Sequence, residues 1–264
     1  MKKPGTLILF ALALLLLTAA APASAPLAVI PVSAPFACHT QGITVARGFL
    51  FVTCAQREKK RALLLRYRLP ENFPAAGLTL SAPEVTDFTR GSQWHPSGLD
   101  HDDRCLWLAV ADYQPRFAHS TMLCVNPETL KIESEFPIAD HIGTVAAVGG
   151  EVWGMNWDAR TIYRFGKDGK PIGQAPSPSK VAFQDCSGGP VFALCSGPDR
   201  ERKQAAAVER LTVQGSEFAL ARAGLCESEG VNVGREGFAA LDGSWAFLPE
   251  DLPSARLLFF APPP

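Results

Sequence analysis

Hydrophobic and polar residues alternate along this chain in short runs, and the runs recur at a regular interval. A histidine stands twelve residues ahead of an aromatic residue at three places: His39 with Phe51, His95 with Trp107, and His141 with Trp153. Around each pair the sequence reads as a short strand, a tight turn and a second apolar strand, because apolar residues tend to occupy every second position. This self-similarity indicates a repeat architecture.

Two less regular copies follow, QDCSGGPVFALCSG from Gln184 and REGFAALDGSWAFLPED from Arg235, so the chain holds five units. Four candidate strands in roughly 40 to 50 residues are typical of a β-propeller blade. The fifth unit ends after its third strand, ARLLFFAP, whereas an unassigned strand, PLAVIPVSA, precedes His39. We therefore predict an all-β fold: a five-bladed β-propeller of four-stranded antiparallel blades, with the ring closed by the N-terminal strand so that no sheet edge stays open.

Composition agrees with one all-β domain. The 22 glycines and 22 prolines separate short runs rich in Val, Phe and Leu, and helical periodicity is hard to find beyond the N-terminus. A chain of 264 residues, 47% of them hydrophobic, can bury one large core, and no linker divides it. We expect a single propeller domain over residues 26–264.

The first 25 residues have the pattern of an export signal. Lys2 and Lys3 precede the apolar stretch TLILFALALLLLTAAA, and an Ala-Ser-Ala triplet at 23–25 supplies a small-x-small cleavage motif. We predict a signal peptide over residues 1–25; the alternative is a retained N-terminal anchor, for which the apolar stretch is short. The mature protein is then expected in the periplasm or secreted, with no stable membrane insertion.

Charge limits the classes of partner. Without the two leader lysines, 23 basic side chains stand against 26 acidic ones, a net charge near −3. This balance argues against nucleic acid and against anionic membrane surfaces. The charged runs at 56–61 and 199–204 are interpreted as solvated loops. We expect a monomer whose partner is a small polar molecule or another protein.

Seven cysteines in an oxidising compartment predict disulfides, with at least one thiol left over. Neighbouring strands would pair Cys38 with Cys54, Cys105 with Cys124, and Cys186 with Cys195, leaving Cys226 alone. The alternative is that several of them are buried small hydrophobic residues.

In a propeller the first strand of each blade lines the central channel, and its beginning shares one face with the loop between the second and third strands. The residues at the channel openings are His39, His95, His141, Gln184 or Asp185, and Glu236. The loops around them carry the candidate ligand-binding residues Asp112, Tyr113, Asn156, Trp157, Asp158 and Glu250, with Asp251 beside the last.

Several kinds of chemistry suit this set. His39, His95 and His141 could hold zinc or iron, whereas calcium would prefer the carboxylates Asp185 and Glu236. Without a divalent metal, Glu236, Asp185 and His95 are candidate catalytic acids and bases. The structural alternative is that these polar residues cap the inner strands or bond neighbouring backbone. Asp100, further along an inner strand, is open to the same two interpretations.

The ordered fragments HTQG, HPSGLD, DHIG, QDC, REG and LPED, between His39 and Phe260, resemble an uncharacterised family of exported bacterial β-propellers. This resemblance implies the fold and no defined activity. The fragment TQG at 40–42 is more distantly similar to glutamine cyclotransferase, a secreted five-bladed enzyme that cyclises N-terminal glutamine. The chain has no clear counterpart of that family's Glu-Leu-Glu-Trp segment.

The leading hypothesis is an exported propeller whose channel mouth binds a metal or a small polar ligand, with hydrolase or lyase chemistry. The alternative is a non-enzymatic periplasmic binding or scaffolding propeller whose protein partners dock on the same face. Nothing in the sequence names a substrate.

Overall fold

The computed structural model describes residues 25–75, 77–113, 119–201, 205–225, 227–228 and 231–262. The predicted signal peptide lies outside these residues except for its last position, and so does Cys226. The described part contains strands, turns and one 3-10 turn, Arg57–Lys59, and no α-helix. It holds no helix that could cross a membrane.

The strands in chain order are β1 (Ala28–Ala46), β2 (Phe49–Gln56), β3 (Arg61–Arg68), β4 (Glu84–Asp87), β5 (Gln93–His101), β6 (Leu106–Asp112), β7 (Ser120–Val125), β8 (Ile132–Ile138), β9 (Ile142–Val148), β10 (Glu151–Asn156), β11 (Thr161–Gly166), β12 (Pro171–Pro176), β13 (Asp185–Gly188), β14 (Phe192–Pro198), β15 (Ala206–Gln214), β16 (Glu217–Leu225), β17 (Glu227–Ser228), β18 (Val231–Asn232), β19 (Gly237–Leu241), β20 (Ser244–Leu248) and β21 (Leu252–Phe260).

Three of the sheets each consist of four consecutive antiparallel strands: β5 to β8, β9 to β12, and β13 to β16. A seven-stranded sheet has the order β19-β20-β21-β1-β2-β3-β4, and β17 pairs with β18 in a separate short ladder. The prediction of an all-β fold containing four-stranded antiparallel sheets is confirmed. Alternating side chains along these strands bury one or both faces, as strands packed between other sheets require.

The long strand β1 joins two groups of four strands. Its first part, residues 28–33, pairs antiparallel with β21, and its second part, residues 39–46, pairs antiparallel with β2. The stretch PLAVIPVSA is therefore the fourth strand beside β19, β20 and β21.

Strands β1, β5, β9, β13 and β19 lie against one another, although β5, β9 and β13 belong to three different sheets and β1 and β19 to the two halves of a fourth. The packing is tight: a Cβ atom added to Gly98 would lie 2.5 Å from the backbone oxygen of Gln184 and 2.6 Å from Asp185 Oδ1. A glycine is needed where backbones approach this closely.

Two buried carboxylates connect these five strands. Asp185, on β13, accepts backbone N–H groups of Ile43, Leu99 and Phe238 at 2.7, 3.0 and 2.8 Å, which belong to β1, β5 and β19. Asp100, on β5, accepts those of Ala147 and Gly188 at 2.8 and 2.7 Å, which belong to β9 and β13. Of the two interpretations of Asp100, bonding to neighbouring backbone is thus the one seen in its contacts.

The hydrophobic core lies between neighbouring sheets. Trp107 packs with Val145 and Val152 between the second and third sheets in chain order, and Trp153 packs with Phe183 and other residues of the next sheet. Burial of these apolar faces is the main stabilising contribution to such a stack.

Three disulfides join adjacent strands, and their pairing is the one expected from the sequence: Cys38–Cys54, Cys105–Cys124 and Cys186–Cys195. Bonds of this kind form and persist in oxidising compartments. The fold is therefore that of a protein suited to an extracytoplasmic environment.

Candidate functional site

A cavity of about 130 Å³ opens where the inner strands begin, on the face predicted to hold the channel mouth. Its lining is mainly polar and aromatic and comprises His39, Gln41, Arg57, His95, Tyr113, Gly143, Trp157, Gln184 and Glu236. Side chains from several sheets meet here because each inner strand directs its first residues toward the centre.

One wall of the cavity is a cluster of histidines and aromatic rings. His141 Nε2 lies 3.2 Å from His95 Nδ1, a hydrogen bond between two buried imidazoles. Trp157 stacks on His95 with ring centroids 4.9 Å apart and meets His141 edge to face at 4.4 Å. Tyr113 contacts His95 edge to face at 5.2 Å and stacks on Trp94 at 4.4 Å. The wall therefore combines stacked and edge-to-face ring contacts.

Burial keeps both imidazoles of this wall neutral. It lowers the pKa of His95 to about 3, with the charges of His141, His39 and Arg57 adding to the shift. Burial also lowers the pKa of His141 to about 4, although the backbone of Asp112 and the carboxylates of Asp140 and Asp112 oppose it. A hydrogen bond between two neutral imidazoles needs one ring nitrogen as donor and the other as acceptor.

Glu236 provides the carboxyl group of the cavity. It precedes β19, is 8% exposed, and makes no hydrogen bond with any described residue; its nearest cation is Arg235, with Nε 3.7 Å from Oε1. Burial raises the pKa of Glu236 to about 7, opposed by the positive charges of His39, Arg235 and Arg57. A carboxyl with such a pKa can donate or accept a proton near neutral pH.

His39 also lines the cavity, and it has a different hydrogen-bond partner. Its Nδ1 lies 2.8 Å from Asp251 Oδ1, and the same oxygen accepts the backbone N–H of Thr40 at 3.1 Å. The hydroxyl of Thr40 donates to the backbone oxygen of Glu250 at 3.0 Å. Strand β1 and the loop before β21 are thus joined at this point.

The structure brings together six of the residues singled out from the sequence, all of which line the cavity: His39, His95, Tyr113, Trp157, Gln184 and Glu236. His141 lies directly behind His95. Asp112 acts on this group by raising the pKa of His141.

Other candidates are engaged elsewhere. Both oxygens of Asp185 accept backbone N–H groups below the cavity. Asn156 Oδ1 accepts the N–H groups of Arg160 and Thr161 within its own turn, Asp158 pairs with Arg160, and Glu250 pairs with Arg256. None of these four lines the cavity.

Gln41 and Arg57 line the cavity too, although neither is among the site residues predicted from the sequence. The repeat alignment contained a signal for Gln41, since it occupies the position that Glu236 holds in the fifth unit. Arg57 belongs to a charged run interpreted as a solvated loop. It is exposed, as that interpretation requires, but the turn also places it at the cavity.

The expected metal ligands do not converge on one point. Among the residues that the structure describes, the group of three donor atoms within 4.8 Å of one another is Cys105, Cys124 and Glu133, whose cysteines are joined in a disulfide. His39, His95 and His141 do not form such a group, and two of their nitrogens bond each other. A metal at these histidines stays a prediction.

A family model described as "Family of unknown function (DUF6454)" matches residues 77–211, which is just over half of the chain. The chain belongs to this family. No curated protein sequence matches this DUF6454 member.

Solved structures resemble the fold of this DUF6454 chain. Glutaminyl cyclase of Myxococcus xanthus superposes with a TM-score of 0.53 at 11% identity, covering 89% of this chain and 99% of the cyclase. Virginiamycin B lyase of Staphylococcus aureus gives a TM-score of 0.44 at 14% identity, covering 84% and 66%. The Neurospora crassa Pan2 WD40 domain gives 0.45 at 5% identity, covering 80% and 72%. At these identities the cyclase likeness shows a propeller-like fold and nothing about activity.

Proposed function

We propose that this DUF6454 member is an exported, five-bladed propeller domain over residues 26–264 that is periplasmic or secreted. The pairing of residues 28–33 with β21 supports closure of the ring by the N-terminal strand. Five inner strands joined through Asp100 and Asp185 support the number of blades. The disulfides and the predicted leader support export.

We further propose that the channel-mouth cavity binds a small polar molecule and transfers protons on it. The observation that carries this is the carboxyl of Glu236, which is buried, open to the cavity and without a hydrogen bond from the described residues. Among the described residues, the ion pair of Glu236 is the one with Arg235 at 3.7 Å, so the carboxyl is available to a ligand that enters the cavity.

The surrounding residues give the ligand a polar site with an aromatic wall. Trp157 and Tyr113 present rings, His95 presents a neutral imidazole, and Arg57 and Gln41 present donors. A site of this size takes one compact group of a larger molecule or a small molecule as a whole. Glu236 serves as acid or base, and Asp185 is assigned a structural role because its oxygens are occupied.

The fold gives one reaction to assay first. The Myxococcus xanthus protein is a glutaminyl cyclase, and cyclisation of a glutaminyl residue needs a proton moved from the attacking amine to the departing ammonia. A carboxyl with the proton affinity of Glu236 is suited to such a transfer. Hydrolase and lyase reactions on other small polar molecules need the same kind of group.

The test is a binding and turnover screen on exported protein purified without chelator. Glutaminyl dipeptides, free amino acids, dicarboxylates and lactones are added singly, and thermal shift, tryptophan fluorescence and ammonia release are recorded. Glu236→Gln removes the acid–base group, whereas Glu250→Gln makes the same change on the same face outside the cavity. We expect at least one compound to stabilise the wild type and Glu250→Gln and to be turned over by both. Neither Glu236→Gln nor buffer alone should turn it over. If no compound acts, or if Glu236→Gln behaves as wild type, the proposal is wrong.

The same samples address the other hypotheses. Stoichiometric zinc, iron or calcium, lost in a folded variant lacking His39, His95 and His141, would establish the metal site and replace the metal-free proposal. A protein that responds to no small molecule but retains a protein partner on this face would favour the scaffolding alternative.

A further inference from the structure

The contact between His39 and Asp251 has a fixed geometry. Asp251 Oδ1 receives both His39 Nδ1 at 2.8 Å and the backbone N–H of Thr40 at 3.1 Å. The adjacent Thr40 hydroxyl donates to the backbone oxygen of Glu250. Two hydrogen bonds therefore hold the carboxylate beside the ring, and the bond from Thr40 to Glu250 fixes the neighbouring backbone, although the Asp251 side chain is 53% exposed.

This geometry selects one tautomer of His39. Partial burial raises the pKa of Asp251, but the hydrogen bonds from His39 and from the amide of Thr40 outweigh it and hold the pKa below its usual value. An ionised carboxylate only accepts, so the bonded Nδ1 must carry the proton, and a neutral ring then leaves Nε2 unprotonated. His39 lines the cavity, and no described residue bonds its Nε2.

We propose that Asp251 is a positioning residue that holds His39 in the Nδ1–H tautomer, which makes His39 Nε2 the base of the cavity and Glu236 its acid partner. The arrangement follows the general logic of a base oriented by a third group. This inference rests on the proposed function, in which the cavity transfers protons on a bound molecule. In this proposal His39 acts without a metal.

The proton transfer balances without a further reactant. His39 Nε2 takes a proton from the attacking group of the substrate or from a water molecule, and the freed electron pair forms the new bond. Protonated Glu236 gives its proton to the leaving group as the old bond breaks. The resulting imidazolium and carboxylate exchange one proton with solvent to restore the starting state.

The test is the tautomer of His39 in the ligand-free protein, measured at pH 8 by long-range proton–nitrogen correlation of nitrogen-15-labelled histidine. We expect a protonated Nδ1 and an unprotonated Nε2 in the wild type. Asp251→Ala should give a mixture of tautomers, whereas Asp251→Asn should keep the Nδ1–H form, since the Thr40 amide still orients its oxygen. Thr40→Val is the matched control: it removes the bond to Glu250 at the same junction and should leave the tautomer unchanged.

An Nε2–H tautomer in the wild type overturns the proposal, and so does an equal effect of Asp251→Ala and Thr40→Val. The wild-type spectrum decides the matter even if Asp251→Ala does not fold. Because no ligand is present, this result is independent of the compound screen. If the tautomer is fixed but no compound is active, Asp251 still positions His39, whereas the proposed function is wrong.

Discussion

At the scale of single residues, the candidate site combines groups whose environments push their proton affinities in opposite directions. Burial lowers the pKa values of His95 and His141 to about 3 and about 4, and it raises the pKa of Glu236 to about 7. Near neutral pH the imidazoles are therefore uncharged, while the carboxyl exchanges protons. An acid–base site needs groups whose pKa values are separated in this way.

The buried histidines should make stability depend on pH. An unfolded chain has imidazoles with a pKa near 6.5. Below that pH its histidines are protonated, whereas the buried histidines of the folded protein are still neutral. The stability that His95 and His141 contribute is present above pH 6.5 and is lost toward their folded pKa values, by up to about 1.4 kcal/mol per pH unit for each ring. We predict that the free energy of unfolding in urea falls less steeply below pH 6.5 in the double variant His95→Gln, His141→Gln.

Glu236 and Asp100 act in the opposite direction, because their folded pKa values are raised to about 7. The wild type and the double variant both retain these carboxyls. The difference between their slopes of unfolding free energy against pH therefore comes from the histidines. Identical slopes would mean that the pair is already protonated or solvated in the folded state, contrary to its burial.

At the scale of strands, two buried carboxylates connect the inner strands to one another. Asp185 binds three amides through both of its oxygens, whereas the amides that Asp100 accepts from β9 and β13 both bond Oδ2. Burial raises the pKa of Asp185 well above its usual value, and the bonded amides oppose that shift. Three donors leave little room for a proton on this group, so we expect it to be ionised.

The comparison of Asp185→Asn with Asp100→Asn tests this difference. An asparagine oxygen can replace one carboxylate oxygen, but its amino group would face donors where the second oxygen of Asp185 stood. Each amide left unsatisfied costs about 1–3 kcal/mol. We predict a loss of about 3 kcal/mol for Asp185→Asn and of about 1 kcal/mol for Asp100→Asn in urea unfolding. Equal losses would indicate that Asp185 is held as the neutral acid.

The strands could be predicted from the sequence, whereas the residues of the cavity could be predicted only in part. The spacing of His39, His95 and His141 from their aromatic partners marks strand pairs, and cysteines on neighbouring strands can be matched by register. What the repeat does not show is which residue at each strand's beginning faces the cavity. Register shifts interrupt β1 between Thr40 and Gly42 and β5 between Pro96 and Leu99.

A shift of one residue exchanges the two faces of a strand. Equivalent repeat positions are therefore used differently: Glu236 and Gln41 face the cavity, whereas Asp185 turns inward to the backbone. Long-range partners such as Asp251 for His39 also leave no trace in local spacing, because they are 212 residues apart in the chain.

At the scale of the whole molecule, the two ends of the chain meet in one sheet. Residues 28–33 pair with β21, so the fold depends on contacts between the first and last parts of the sequence. Such contacts form late and at a high entropic cost in a folding chain. Once formed, they leave β21 without a free edge, which protects against pairing with other chains.

Substitutions at Ile30 and Val29 can separate the effect of the pairing between β1 and β21 from the effect of changing a residue in that strand. Ile30 is fully buried in a cluster with Leu50 and Leu257, between the last and first parts of the seven-stranded sheet, whereas Val29 is 40% exposed on the other face of the same strand. We predict that Ile30→Ala lowers the free energy of unfolding by about 2–4 kcal/mol, and that Val29→Ala changes it by about 0.5 kcal/mol or less.

The measurement is thermal unfolding followed by tryptophan fluorescence in a Trp245→Phe background. Trp245 lies beside β21, whereas the other tryptophans lie outside the seven-stranded sheet and outside the cluster around Ile30. If the N-terminal strand closes a ring, Ile30→Ala should lower the single transition that these distant tryptophans report, because no sheet can then open alone. If the strand is an appendage to an otherwise independent fold, the tryptophan transition should stay at the wild-type temperature while only local probes near β21 change. The first outcome makes closure a property of the whole molecule; the second contradicts it.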